Sequence, residues 1–160
     1  MTELINLAQI ITSIAIVLTF IVYWRQLVAL QAQVAAARDA SRTQNLIAIF
    51  DYIQRPAHIE ARHTLIGLRD KRLSKWRDKE RLDAERACSA WDAIGVLLRN
   101  TTISGATELV VSTWGPSISK CYDAAQELMK ELRSSRASDY WDEFEWLVQK
   151  CKNYDNNGKS

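Results

Sequence analysis

The chain has 160 residues, with 21 Lys and Arg against 19 Asp and Glu, and 48% of its residues are hydrophobic. A formal net charge of +2 is too small to indicate a nucleic-acid partner from composition. The five glycines lie singly, which excludes a glycine-rich phosphate loop. The three cysteines are widely spaced and form no Cys-x-x-Cys pair, so we interpret them as reduced core residues and not as a zinc site.

An apolar run of 21 residues without a charge, residues 4–24, begins close to the start of the chain. As a helix rising about 1.5 Å per residue it would be roughly 31 Å long, which matches a hydrocarbon core of about 30 Å. A cleaved secretory signal would start with positive charge and have an apolar stretch of about 7–15 residues. The run therefore predicts a retained transmembrane helix.

The charges around this run predict its orientation. Glu3 precedes it, whereas three basic residues and one acidic residue follow it, namely Arg25, Arg38, Arg42 and Asp39. Basic residues near a span favour the cytoplasmic side of a membrane. We expect the N-terminus to lie outside an inner (cytoplasmic) membrane and residues 25–160 to lie in the cytoplasm, with Tyr23 and Trp24 at the inner interface.

Two stripes on this N-terminal segment predict self-association. In the span, small side chains recur at a spacing of 4, 3 and 4 residues, namely Ala8, Thr12, Ala15 and Thr19, and such faces let helices approach closely. No Gly or Pro interrupts the following residues, so we expect the span to continue as a rod. The rod carries a short a/d pattern, namely Leu27, Leu30, Val34 and Ala37. The alternatives are that Ala and Thr are simply common in membrane spans, and that the rod stripe packs against the chain's own domain.

Helical patterns continue to the end of the chain. Ser41 and Gln44 fit a capping box that would start a new helix, and Pro56 fits the first turn of the next. Residues 82–98 form another amphipathic stripe, and Gly95 within it indicates a close helix contact. We expect a short helix over 106–113 closed by Gly115-Pro116, a long helix after Pro116, and a last helix capped by Ser138.

These patterns predict an all-α fold without internal repeats. One N-terminal transmembrane helix continues into a cytoplasmic rod (residues 1–40), a compact bundle of about five to six helices follows (41–152), and residues 153–160 form a flexible tail. The segments RPAHIEAR (55–62), AWDAIGVLL (90–98) and WGP (114–116), together with the span, resemble a bacterial family of membrane-anchored helical proteins known as a domain of unknown function. This resemblance implies an inner-membrane helical protein and no catalytic residue.

Metal and enzyme chemistry have little support in the sequence. His58 and His63 are five residues apart, so on a helix their rings diverge by about 140°, whereas zinc-binding helices use a spacing of four. Both histidines lie in one short stretch, and no nucleophile motif is present. We therefore expect no metal, no cofactor and no enzymatic activity.

A basic segment, residues 69–81, has seven Lys and Arg against three acids. We interpret Lys71, Arg72, Lys75, Trp76 and Arg77 as candidates for contact with an anionic lipid surface, with Trp76 inserting among the headgroups. The alternative is a solvated turn of mixed charge. Contact with nucleic acid is the weakest of the three interpretations because the segment's net charge is only +4.

The last helix interleaves four acids with four aromatics, which cannot all face one core. Tyr140 and Trp146 are the candidates for partial exposure and for contact with an unknown protein partner, although ordinary edge packing is the slightly better account. Together these features predict a non-enzymatic, membrane-anchored, oligomeric interaction or scaffold module. Two alternatives remain: a stress or phage-defence effector that perturbs the bilayer on oligomerisation, and an adaptor that binds anionic lipid or nucleic acid through residues 69–81.

Overall fold

The structure is a computed structural model that describes residues 2–100 and 103–157. Side chains are described for Gln9, for Thr12 and from Ile14 to residue 156 within these ranges. These residues form five α-helices, namely α1 (Thr2–Ile53), α2 (Pro56–Gly67), α3 (Asp78–Asn100), α4 (Ala106–Ser135) and α5 (Asp142–Asn157), with one 3₁₀ turn at Leu73–Lys75. Within the described ranges there is no strand, and the all-α prediction is confirmed. The chain divides into two compact units, Met1–Asn45 and Leu46–Ser160.

The first unit is helical throughout its described residues and has no break at Ser41, so the prediction of a new helix there is wrong. The Thr43 hydroxyl donates to the Asp39 carbonyl at 3.1 Å, one turn earlier in the same helix. A capping box requires its first residue to leave helical geometry. The Ala- and Gln-rich residues on both sides of Ser41 favour helix, and no Gly or Pro offers a break, so the helix continues.

The second unit contains the hydrophobic core. The last two turns of α1 contribute Ile49 and Ile53, and helices α2 to α5 supply most of the remaining buried side chains. Helix α5 packs against α3 and α4, and α2 packs against α3. The largest fully buried side chains include Trp91 of α3, Ile118 of α4 and Phe144 of α5. The unit is therefore a single-core helical bundle, as predicted.

Helix α4 differs from the prediction because Pro116 lies inside it and Gly115 does not end a helix. A proline disfavours helical geometry in the preceding residue through contact with that residue's Cβ, and Gly115 has none. Gly115 also packs against α5, where an added Cβ would lie 3.8 Å from the Cys151 sulfur. Gly115 and Pro116 thus lie within one continuous helix of 30 residues.

Helix α5 begins at Asp142, four residues after the predicted cap at Ser138. Residues 138–141 form turns, and Trp141 has a φ of +61°, in the left-handed region that favours glycine. The predicted buried stripe of this helix is confirmed, because Trp141, Phe144, Leu147, Val148 and Cys151 are all buried. Residues 138–141 thus form a turn that precedes the helix.

Candidate functional site

The basic segment, residues 69–81, folds back onto the bundle and is not a free loop. Leu73 and Trp76 are both buried, each 8% exposed. The Trp76 indole nitrogen donates to the Lys71 carbonyl at 2.8 Å, and the backbone N–H of Leu73 donates to the Glu127 carboxylate of α4 at 3.1 Å. The prediction that Trp76 inserts among lipid headgroups is wrong, because its ring is part of the core.

Two of the predicted lipid-contact cations are bound to one carboxylate. Glu80 accepts from Lys71 Nζ at 2.7 Å, from Arg77 Nη2 at 3.0 Å and from the backbone N–H of Arg77 at 2.7 Å. This last bond caps the first turn of α3. The backbone bond and the two cations lower the pKa of Glu80 to about 2. Lys71 and Arg77 therefore hold the start of α3 in place and are not free charges.

Four of the remaining five cations of the segment face solvent, while Arg81 is half-buried and pairs with Glu131 of α4. Arg72 and Lys75 are exposed, as are Arg69 and Lys79, and within the described residues none of these four has an ion pair. Arg69 and Arg72 line an open depression of about 310 Å³. Its lining also includes Asp70, Asp123 and Glu127, so the surface has mixed charge. The structure thus leaves a smaller cationic surface than the sequence predicts, made of Arg69, Arg72, Lys75 and Lys79.

Several acidic and aromatic residues near the start of α5 are paired with side chains from other parts of the bundle. Tyr140 is half-buried, and its hydroxyl accepts from Arg136 Nη1 at 2.7 Å. Arg133 bonds the Asp142 and Glu145 carboxylates at 2.8 and 2.9 Å. Trp146 is half-buried with Lys150 over its ring, 5.4 Å from the ring centre. Tyr140 and Trp146 thus offer only partial faces to a partner.

A close helix contact of the bundle is made by a stripe on α3 that meets the start of α5, which we name the α3 docking stripe. Its members lie three or four residues apart on one face, namely Ser89, Asp92, Gly95 and Arg99. Ser89 Oγ accepts from the Trp141 indole at 3.1 Å, Asp92 accepts from the Phe144 backbone N–H at 3.0 Å, and Arg99 pairs with Glu143 at 2.6 Å. An added Cβ on Gly95 would lie 2.4 Å from the Glu143 carbonyl oxygen.

The docking stripe explains where α5 begins. Burial raises the pKa of the Asp92 carboxyl, while hydrogen bonds from the backbone N–H groups of Phe144 and Glu143 oppose that rise. The Asp92 side chain thus caps the N-terminus of α5 from another helix, although α5 begins 50 residues further along the chain. The predicted close contact at Gly95 is found, whereas Ser89, Asp92 and Arg99 were missed because their partners are distant in sequence.

A second buried polar contact joins α1, α2 and α3 within the bundle. Arg62 is 7% exposed, and its Nη1 donates to the carbonyl of Ile53, the last residue of α1, at 2.7 Å. The guanidinium lies over the Trp91 ring, 5.2 Å from the ring centre. Burial lowers the pKa of Arg62. Because a cation stabilises a helix C-terminus, this residue fixes the end of α1 to the bundle.

The three cysteines of the bundle lie in its core. Cys88, Cys121 and Cys151 are buried, as predicted, and burial raises the pKa of the Cys121 and Cys151 thiols to about 11. No group of three or more His, Cys, Asp or Glu in the described part of the chain could hold a metal ion. His58 packs against Tyr52, with 4.6 Å between ring centres.

The predicted assembly residues all lie on α1. Thr12, Ala15, Thr19, Leu27, Leu30 and Val34 are exposed, and the side chain of Ala8 lies outside the described residues. The Thr19 hydroxyl donates to the Ala15 carbonyl at 2.7 Å, within the same helix. From Ile14 onward, α1 is the one described helix long and apolar enough to cross a membrane, by length and composition. In the most apolar 18-residue window of Ile14–Ile53, no residue is buried within the chain.

The fold and these surfaces define an all-α protein with a long apolar N-terminal helix and a helical bundle. A family model for a domain of unknown function, DUF4760, matches residues 10–151, and the chain belongs to that family. No curated protein and no solved structure matches the chain. The family match includes most of the apolar helix as well as the bundle.

Proposed function

We propose that this protein is a non-enzymatic, membrane-anchored interaction module whose helical bundle acts in the cytoplasm and whose N-terminal helix assembles copies of the chain. The observation that carries the proposal is the exposure of α1. Large apolar side chains from Ile14 to Val34 are 49–68% exposed, whereas the bundle has a complete core of its own. Removing each such side chain fully from water is worth about 1.5–3 kcal/mol. A bilayer and a second helix would both supply that burial.

The family match supports a retained anchor. It begins at residue 10, inside the apolar run, so the helix belongs to the same family unit as the bundle. The charges beyond the run support an inner-membrane location with the N-terminus outside, because Arg25, Arg38 and Arg42 outnumber Asp39 on the bundle side. The buried thiols suit a reducing compartment.

The first experiment measures the mass of the full-length protein in nanodiscs and of fragment 41–160 in buffer. We expect a defined oligomer for the full chain and a monomer for the fragment. Extraction of membranes at high pH should leave the full chain in the membrane, and a C-terminal reporter should be active only in the cytoplasm. A monomeric full chain, or a reporter active outside, would contradict the proposal.

A second candidate function is an adaptor for anionic lipid, and the cationic surface of Arg69, Arg72, Lys75 and Lys79 favours it. Each basic residue near an anionic leaflet contributes on the order of 1 kcal/mol of attraction. Fragment 41–160 should then bind vesicles of phosphatidylserine and phosphatidylcholine but not vesicles of phosphatidylcholine alone. Charge reversal of Arg69, Arg72 and Lys75 to Glu should abolish binding, whereas reversal of the already paired Lys71 should change it less. Equal binding by all variants would remove this candidate.

The bilayer-perturbing effector has less support. The hydroxyl of Thr19, one of the polar groups in the span, is already bonded within its own helix. Overexpression with a membrane-potential dye separates this class from a scaffold. An effector would depolarise the cells, and a scaffold would leave the potential unchanged.

A further inference from the structure

The continuity of α1 joins the apolar span and the polar rod into a single register. With Leu27 at position a of a heptad, the positions a and d from residue 16 to residue 37 are all apolar, namely Ile16, Phe20, Tyr23, Leu27, Leu30, Val34 and Ala37. The helix has no break within this range. The a/d stripe therefore extends over about three heptads, from residue 16 to residue 37, which is twice the length of the stripe in the rod (27–37). We call these seven residues the α1 seam.

The two predicted assembly stripes do not share a face in this register. Thr12 and Thr19 fall at position g, while Ala8 and Ala15 fall at position c. A pair of helices that meets along a and d places c away from the contact. The small-residue stripe and the α1 seam therefore cannot both form the centre of one two-helix contact.

The charges of the rod favour the seam. Arg25 and Asp39 lie at position f and Arg42 at position b, all facing away from a and d. Asp39 and Arg42 pair with each other along the helix at 3.5 Å. Arg38 lies at position e, where a parallel partner would place Gln33 from position g. The preceding pair joins Gln26 at g to Gln31 at e. A parallel copy thus meets no like charge at the seam.

We propose that the α1 seam binds a second copy of this chain in parallel and in register, through residues 16–37. This inference rests on the proposed function and specifies the face that assembles the copies. The rod needs a partner because its apolar side chains lie beyond the 21-residue span, where a lone helix would expose them to water. A second copy anchored in the same membrane is held at high local concentration with the same orientation.

Val28 provides a matched control. Leu27 and Val28 are 50% and 51% exposed in the single chain, and Leu30 is 56% exposed. Nothing in the monomer distinguishes them, but Val28 lies at position b and faces away from the seam. If a partner covers the seam, a polar substitution at Leu27 or Leu30 should weaken assembly, whereas one at Val28 should not. None of these side chains contributes to the bundle core, so the bundle should fold in every variant.

The test uses the full chain in nanodiscs. Single cysteines replace Leu27, Leu30 or Val34 on the seam, or Ala29, Ala32 or Ala36 off it, and a mild oxidant is added. The native thiols are buried, so the unsubstituted chain gives the background. We expect crosslinked dimer at all three seam positions and background at the others. We also expect Leu27→Gln with Leu30→Gln to lower the oligomer mass and Val28→Gln to leave it unchanged.

The outcomes separate the inference from the function on which it rests. An oligomer that crosslinks through Thr12→Cys or Ala15→Cys but not on the seam would overturn the seam and leave the oligomeric module intact. Crosslinking at only one of the three seam positions would indicate antiparallel crossing and overturn the parallel register. A monomer for the unsubstituted chain would overturn both proposals.

Discussion

The Asp92 carboxylate of α3 accepts the backbone N–H of Phe144 at 3.0 Å and so caps a helix that begins 50 residues later in the chain. The first N–H groups of a helix have no partner within it. Ser138 and Asp139 lie close in sequence but do not cap α5, which starts where α3 offers an acceptor. The bundle therefore uses one helix to set the start of another.

Replacing Asp92 with Ala should lower the free energy of unfolding of fragment 41–160 by about 0.5–2 kcal/mol, the usual effect of losing a helix cap. Asp92→Asn keeps an acceptor and should cost less. The exposed Asp123 of α4, changed to Ala, is the control and should be nearly neutral. Urea unfolding followed by circular dichroism measures all three. Equal stability of the Asp92→Ala and Asp123→Ala variants would show that the bond contributes nothing.

A single methyl group at Gly95 should separate α3 from α5. The new Cβ would lie 2.4 Å from a backbone oxygen, which cannot rotate away, so Gly95→Ala should destabilise the bundle by about 1–3 kcal/mol or more. The control is Gly67→Ala at the end of α2, where nothing lies within 4 Å of the added Cβ. That variant should be neutral or slightly stabilised. Thermal unfolding compares them, and a neutral Gly95→Ala would contradict the observed contact.

Arg62 should stabilise the bundle by holding the end of α1. Arg62→Ala removes a charged hydrogen bond and the contact with Trp91, so we expect a loss of about 1.5–3 kcal/mol. Arg69→Ala, an exposed cation of the same type, should change stability little. Hydrogen exchange at residues 49–53 provides a specific readout. We expect the backbone amides of residues 49–53 to exchange faster in Arg62→Ala than in the wild type. Unchanged exchange would show that Arg62 does not hold the end of α1.

Glu80 should make the bundle acid-sensitive. Its pKa falls from 4.5 to about 2 on folding, so the unfolded chain binds the proton more tightly. The stabilisation is present above pH 4.5 and is lost as the pH falls towards 2. Glu80→Gln should be less stable near neutral pH and should lose less stability on acidification. Glu60→Gln, at an exposed position of α2, is the control, and urea midpoints from pH 7 to pH 2 provide the measurement. Parallel curves for wild type and Glu80→Gln would contradict this linkage.

Local patterns in the chain were sufficient to predict its class and most of its elements. Apolar spacing of 3.6 residues identified the faces of α3, α4 and α5, and Pro56 marked the start of α2. Hydropathy and length identified the apolar helix. These predictions hold because periodicity and helix propensity act between residues a few positions apart. Two of the three wrong helix boundaries, at Ser41 and Pro116, lie where such local signals compete with continuing helix on both sides.

The surfaces depended on contacts that no local pattern contains. Trp76 is buried and Leu73 is bonded to Glu127, 54 residues away, so a segment that looks solvated folds onto α4. Glu80 binds two of the seven cations, which reduces the charge available to a ligand. The position of Asp92 beneath α5 likewise follows from the packing of α3 against α5. Residue types specify which helices form, but long-range packing determines which charges stay free, because only the folded chain brings a carboxylate to its partner.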